Sequence, residues 1–198
     1  TADGRFVTMW STYPSGGGET SFYGPRGLAV DSQGRLFVAD TGNKKIVIFD
    51  SEGNYLGEIG SAGMLLGQFD EPVAIAFDSF GNLYVTDTWN QRVQVFAPDP
   101  SGLFFYPLAE WPVYGWYGQS LENKPFITVA SNGNVFVTDP EMCRLIEFSP
   151  IGEVVRVWDG CSAGAFQLPS GIVTDGADGL WVSDAANGAL THFIPTAP

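Results

Sequence analysis

Leu36-Phe37-Val38-Ala39-Asp40 recurs three more times along the chain: Leu83-Tyr84-Val85-Thr86-Asp87, Val135-Phe136-Val137-Thr138-Asp139 and Leu180-Trp181-Val182-Ser183-Asp184. Each closing Asp stands nine residues before a Phe (Phe49, Phe96, Phe148, Phe193) and nine after a turn position (Asp31, Asp78, Ala130, Asp175). A Pro opens each unit: Pro25, Pro72, Pro125 (displaced by one position) and Pro169. The Asp-to-Asp periods are 47, 52 and 45 residues. Spacing this strict, kept four times, marks a structural repeat.

Each unit reads as four short strands. The first is Gly27-Leu28-Ala29-Val30 and its counterparts, followed by turn chemistry such as Asp31-Ser32-Gln33-Gly34 or the hairpin dipeptide Asp178-Gly179. The second ends in the recurrent Asp. The third is Ile46-Val47-Ile48-Phe49, with Val93–Phe96, Leu145–Phe148 and Leu190–Phe193; the fourth is Tyr55–Ile59, with Val154–Trp158. Strands two and three are apolar almost without alternation, whereas a half-solvated sheet would alternate. These sheets therefore need cover on both faces. Small antiparallel sheets stacked about an axis supply it, and about 45–50 residues suits one four-stranded blade. The fold expected is an all-β propeller of four blades, about 22–60, 69–111, 121–158 and 166–194, in one domain, with a tail at 195–198.

Composition agrees. Of 198 residues, 44% are apolar and 14% aromatic, which excludes a disordered chain. With 25 Gly and 13 Pro, long helices have little room. Nine basic residues against 22 acidic give a net charge of −13, which argues against nucleic acid and against an anionic membrane surface. No run of 18 apolar residues is present, so no membrane-spanning helix is expected, and Thr1–Arg5 carries no signal-peptide pattern. Gly4–Trp10 resembles the fourth strand that ends at Trp158, while the last unit stops after its third. Two readings stay open: residues 5–10 complete the last blade and close a ring of four, or the chain is the later part of a larger propeller. A closed ring should be a monomer; an open arc should self-associate.

Ala39-Asp40-Thr41-Gly42-Asn43-Lys44-Lys45-Ile46-Val47-Ile48-Phe49 and Thr86-Asp87-Thr88-Trp89-Asn90-Gln91-Arg92-Val93-Gln94-Val95-Phe96 resemble the signature of the NHL repeat. The lead-ins Gly67–Pro72 and Ala165–Pro169 match as well, and the likeness extends over essentially the whole chain. Units three and four depart from it in their loops, Pro140–Arg144 and Ala185–Ala189. The resemblance implies a propeller, usually of six blades, often a module of a longer secreted or membrane-tethered protein. An extracytoplasmic or membrane-associated location, through a parent protein, follows from that. It fixes no function, because such propellers serve unrelated ends.

Asp40, Asp87 and Asp139 each precede a basic residue by five, so Asp40–Lys45, Asp87–Arg92 and Asp139–Arg144 are expected to pair and hold their loops. Ala189 breaks the pattern, so Asp184 should bond to backbone amides or water. The single histidine, His192, cannot build a multi-histidine zinc site. Asp175–Gly179 is too short for a calcium loop and lacks the later Glu. Cys143 lies in the second-to-third-strand loop of unit three and Cys161 in the connection leaving that unit, which emerge on the same side of a propeller: a disulfide or two buried thiols are both compatible. Two surfaces are candidates for binding. One is the aromatic insertion 103–117, with Phe105, Tyr114, Trp116 and Tyr117; the other is the loop face, with Arg26, Trp89, Asn90 and Phe126.

The function expected is a non-catalytic binding or scaffold module with a protein or peptide partner, with no catalytic residues, metal or cofactor. The alternative is a hydrolase or lyase of the lactonase or peptidyl-hydroxyglycine lyase type. Those similar propellers gather His, Asp, Glu and Tyr around a central metal.

Overall fold

The computed structural model describes residues 4, 6–116, 123–164, 166–175 and 179–194. An N-terminal hairpin, β1 (Thr12–Ser15) and β2 (Gly18–Ser21), precedes four antiparallel sheets. Blade 1 is β3 (Pro25–Val30), β4 (Leu36–Asp40), β5 (Lys45–Phe49) and β6 (Tyr55–Ile59); blade 2 is β7 (Pro72–Phe77), β8 (Leu83–Asp87), β9 (Arg92–Pro98) and β10 (Phe105–Pro112). Blade 3 is β11 (Ile127–Val129), β12 (Val135–Asp139), β13 (Arg144–Phe148) and β14 (Val154–Asp159), followed by the one-turn helix α1 (Gly160–Ala163). Blade 4 is β15 (Pro169–Thr174), β16 (Leu180–Asp184) and β17 (Ala189–Phe193). The protein is a four-bladed β-propeller.

The registers are the same from blade to blade. Leu28 faces Val38, Ile75 faces Val85, Ile127 faces Val137 and Ile172 faces Val182. The turn before each second strand repeats too. Asp31 accepts the amides of Gln33 and Arg35, Asp78 those of Phe80 and Asn82, and a left-handed Gly34 (φ 77°) or Gly81 (φ 84°) completes the reversal.

Each blade has a leading face, turned toward the blade before it, and a trailing face. Phe37, Ala39, Ile46 and Ile48 on the trailing face of blade 1 form one core with Ile75, Leu83, Val85 and Phe96 on the leading face of blade 2. Equivalent cores join blade 2 to blade 3 and blade 3 to blade 4. Each buried Val, Leu or Phe adds about 1.5–3 kcal/mol of burial free energy. That is why strands two and three show no polar alternation: both faces are interior.

Among the described residues, residues 6–10 add no strand to the last blade. Residue 5 lies outside the described residues, 6–10 adopt no strand, and β17 pairs with β16 alone. The reason is local. Trp10 stacks on Phe49 of blade 1, ring centroids 6.3 Å apart, and the following hairpin buries Tyr13 against Val38, Val47 and Phe49. The tail 195–198 lies outside the described residues.

Candidate functional site on the loop face

The strand-ending carboxylates fix the geometry of the loop face. Asp87 is fully buried. It accepts bonds from the amide of Asp70 (2.7 Å), Asn90 Nδ2 (2.8 Å), Arg92 Nε (2.8 Å) and Gln94 Nε2 (2.9 Å). It thus ties its own hairpin loop to the linker that enters the same blade. Burial pushes its pKa up, against the bonds from Asn90, Asp70 and Arg92 that favour the charged form. Asp139 does the same with Arg144 (2.8 Å), and burial likewise pushes its pKa up. Asp184 takes the amides of Gln167 and Leu168 and both nitrogens of Asn187. Burial opposes its ionisation, but those bonds prevail and its pKa is lowered.

Asp40 departs from the expected pair. Tyr13 Oη (2.6 Å), Asn43 Nδ2 (2.7 Å) and the amide of Tyr23 (2.8 Å) surround it. Lys45 turns instead to Glu58 (3.1 Å) and Ser15 Oγ (2.9 Å), because β6 and the hairpin supply acceptors on its own side. Burial, followed by the bond to Asp40, raises the pKa of the Tyr13 hydroxyl well above its ordinary value.

This frame holds a cleft of about 420 Å³ where the loops of blades 1 and 2 meet. Tyr23, Arg26, Lys44, Asp70, Glu71 and Trp89 line it. The Trp89 amide donates to Asp70 O (3.0 Å) and that of Thr88 to Glu71 O (3.1 Å), so the Trp89 backbone is anchored while its indole is exposed. Thr41 Oγ1 donates to Pro72 O (2.7 Å), bridging the two blades under the cleft. Asp70 pairs with Lys44 (2.7 Å), and Glu71, held at φ 67°, pairs with the buried Lys124 (2.7 Å). The walls are therefore aromatic and charged, with the acids already compensated.

The other expected residues fall as follows. Asn90 serves the frame, donating to Asp87 and to Gly63 O. Phe126 is partly exposed, on a separate loop. Trp116 is not a surface residue: its ring is buried with Trp111 and Val113 in the core between blades 2 and 3. Phe105 is half-buried, packed edge-on against Phe37 at 5.3 Å. Of the insertion, Phe104, Tyr106 and Tyr114 are exposed, and Tyr117 lies outside the described residues. Cys143 and Cys161 form a disulfide, Cα atoms 5.3 Å apart. His192 stacks on Trp181 at 4.2 Å and meets Asp175 at 3.0 Å. Among the described residues, no three His, Cys, Asp or Glu side chains are grouped to hold a metal. Tyr23, Lys44 and Glu71 were not singled out by sequence; their positions beside the opening Pro and at the hairpin end were the available signal.

The family model for the NHL repeat matches residues 22–49 and 69–96, which run from the lead-ins of blades 1 and 2 into their third strands. The chain carries NHL repeats. NHL repeat-containing protein 3 of Homo sapiens is 42% identical over 53 residues, covering 26% of this chain and 15% of that protein. Protein brain tumor of Drosophila melanogaster is 29% identical over 152 residues, covering 73% of this chain and 13% of that protein. The chain thus spans a small part of these curated relatives. Among solved structures, a streptogramin B lyase superposes with a TM-score of 0.61 at 18% identity, covering 94% of this chain and 63% of that one. A luciferin-regenerating enzyme superposes with 0.60 at 16%, covering 81% and 53%. At such identities the likeness is one of fold.

Proposed function

We propose that this propeller is a non-catalytic binding module that holds a protein or peptide partner in the loop-face cleft between blades 1 and 2. The observation that carries this reading is the exposed Trp89 indole, fixed through its backbone beside Tyr23 and Arg26 on a frame locked by Asp87. An aromatic anchor on a rigid support loses little conformational freedom on binding, which is where binding energy concentrates. The net charge of −13 disfavours anionic partners at long range. A parent protein that is exported or membrane-tethered fits the module reading.

The test compares two baits on extract of the source organism: the native chain, and Trp89→Ser with Arg26→Ala. The double variant should lose the captured partner while its melting temperature stays within about 2 °C, since exposed substitutions shift stability little. Equal capture by both baits would refute the cleft. The rival reading, a metal-dependent lyase or hydrolase, draws on the enzyme propellers that share the fold. It would prevail if stoichiometric zinc or calcium bound tightly and its removal abolished a hydrolase or lyase activity.

A further inference from the structure

The face opposite the loop face carries recesses between neighbouring blades. The turns that join strands one and two, and strands three and four, wall them. Asp31, Arg35, Gly81 and Pro98 line the recess between blades 1 and 2. In the recess between blades 2 and 3, the same four places are taken by Asp78, Asn82, Gly133 and Pro150. Left-handed Gly81 (φ 84°) lies against Pro98, and left-handed Gly133 (φ 86°) lies against Pro150. The walls are therefore repeats of one another, but the spaces they enclose differ. The first recess holds about 150 Å³ and the second about 350 Å³.

The chain itself fills the first recess. In blade 2, β9 runs on past Phe96 to Pro98, and β10 begins at Phe105, paired with it. The Phe105 ring lies 5.3 Å from that of Phe37 and 6.4 Å from that of Phe77. Arg35, paired with Asp31, sits over Phe37 at 5.5 Å and over Phe105 at 5.9 Å, and donates to Gly102 O. Blade 3 has no such extension: β13 stops at Phe148, the equivalent of Phe96, and pairs there with Val154. Asn82 stands in the place of Arg35 and is too short to span the space; its amide folds back on Asp78 at 2.7 Å. Tyr84 stands in the place of Phe37, its hydroxyl 3.2 Å from Asp78, and exposed Leu108 forms the outer wall. We propose that this second recess is a binding site, separate from the loop-face cleft, for an aromatic side chain of a partner peptide, which enters it as Phe105 enters the first. Exposed Ser79, Phe80 and Asn132 stand at its mouth, where the peptide main chain would run. A single ring lowered into a recess of rigid turns is the usual form of a peptide anchor.

The probe is a synthetic peptide with the sequence of residues 99–106, the segment that fills the first recess. Titrated to about 5 mM into the native chain labelled with nitrogen-15, it should shift the amide resonances of Ser79, Phe80 and Asn132 and reach saturation, since one ring supports affinity of about millimolar order. The same peptide with Phe104, Phe105 and Tyr106 replaced by Ala should leave those resonances in place. Leu108→Asp should weaken binding about fivefold, through the lost apolar wall, while the melting temperature stays within about 2 °C. Leu108→Ser serves should that variant fail to fold. Trp89→Ser with Arg26→Ala should bind the peptide as the native chain does, so the recess and the loop-face cleft stand or fall separately. Resonances that do not move, or that move equally with the ring-free peptide, overturn the proposal. So do shifts confined to Gln33 and Gly102, which would mean that the peptide displaces Phe105 from the first recess instead.

Discussion

At the scale of single residues, Asp87 shows why a carboxylate closes the second strand of every blade. A buried carboxylate is costly unless its oxygens are filled, and here four donors from its loop, linker and third strand fill them. Arg92 is the only full charge among those donors. It also bonds to Met64 O, Leu65 O and Gln68 O, so it carries the linker as well. Arg92→Ala should therefore destabilise the fold by about 3–5 kcal/mol, the usual result of leaving a buried charge unpaired. Chemical denaturation measures this, and a loss below about 1 kcal/mol, the range of exposed pairs, would contradict it. The five-residue offset from Asp to base was legible in the sequence because a tight hairpin fixes it. The failure at Lys45 was not, because Tyr13, 27 residues from Asp40, lies outside the repeating unit, and Glu58, 13 residues from Lys45, competes for the base from the fourth strand of the same blade.

At the scale of elements, the strands were legible because the repeat reports them four times, and the predicted fourth strand at Tyr55–Ile59 coincides with β6. The aromatic insertion was not. Phe105 lies within β10 and Trp116 follows in the blade 2–3 core, so two rings offered as a binding surface are half-buried and buried, respectively. Composition alone cannot tell an aromatic patch from an aromatic core; only the facing blade decides. The bond between Cys143 and Cys161 ties the β12–β13 loop to α1, where sequence spacing left bridge and thiols equally open. It closes a loop with a sequence separation of 18 residues, and its removal by Cys143→Ser with Cys161→Ser should lower stability by about 3 kcal/mol. Melting under non-reducing conditions reads this out. An unchanged melting temperature in the double variant would contradict it.

For the whole molecule, the account rests on blades that are stable because each leans on the next. The loop-face cleft and the anchored Trp89 both follow from that stacking. The place of the N-terminal stretch was the least legible feature, since Gly4–Trp10 has the pattern of a fourth strand and yet Trp10 lies against Phe49. A local pattern cannot show which of two apolar surfaces captures it. The most direct measurement is a double-mutant cycle across the first blade boundary, using Phe37→Ala, Phe77→Ala and the double variant. The rings sit edge-on, 4.8 Å apart and inclined at 78°. A coupling of about 0.5–1.5 kcal/mol is the result predicted for an aromatic pair in contact. Strict additivity would mean that the two blades do not touch there, and would contradict the fold itself.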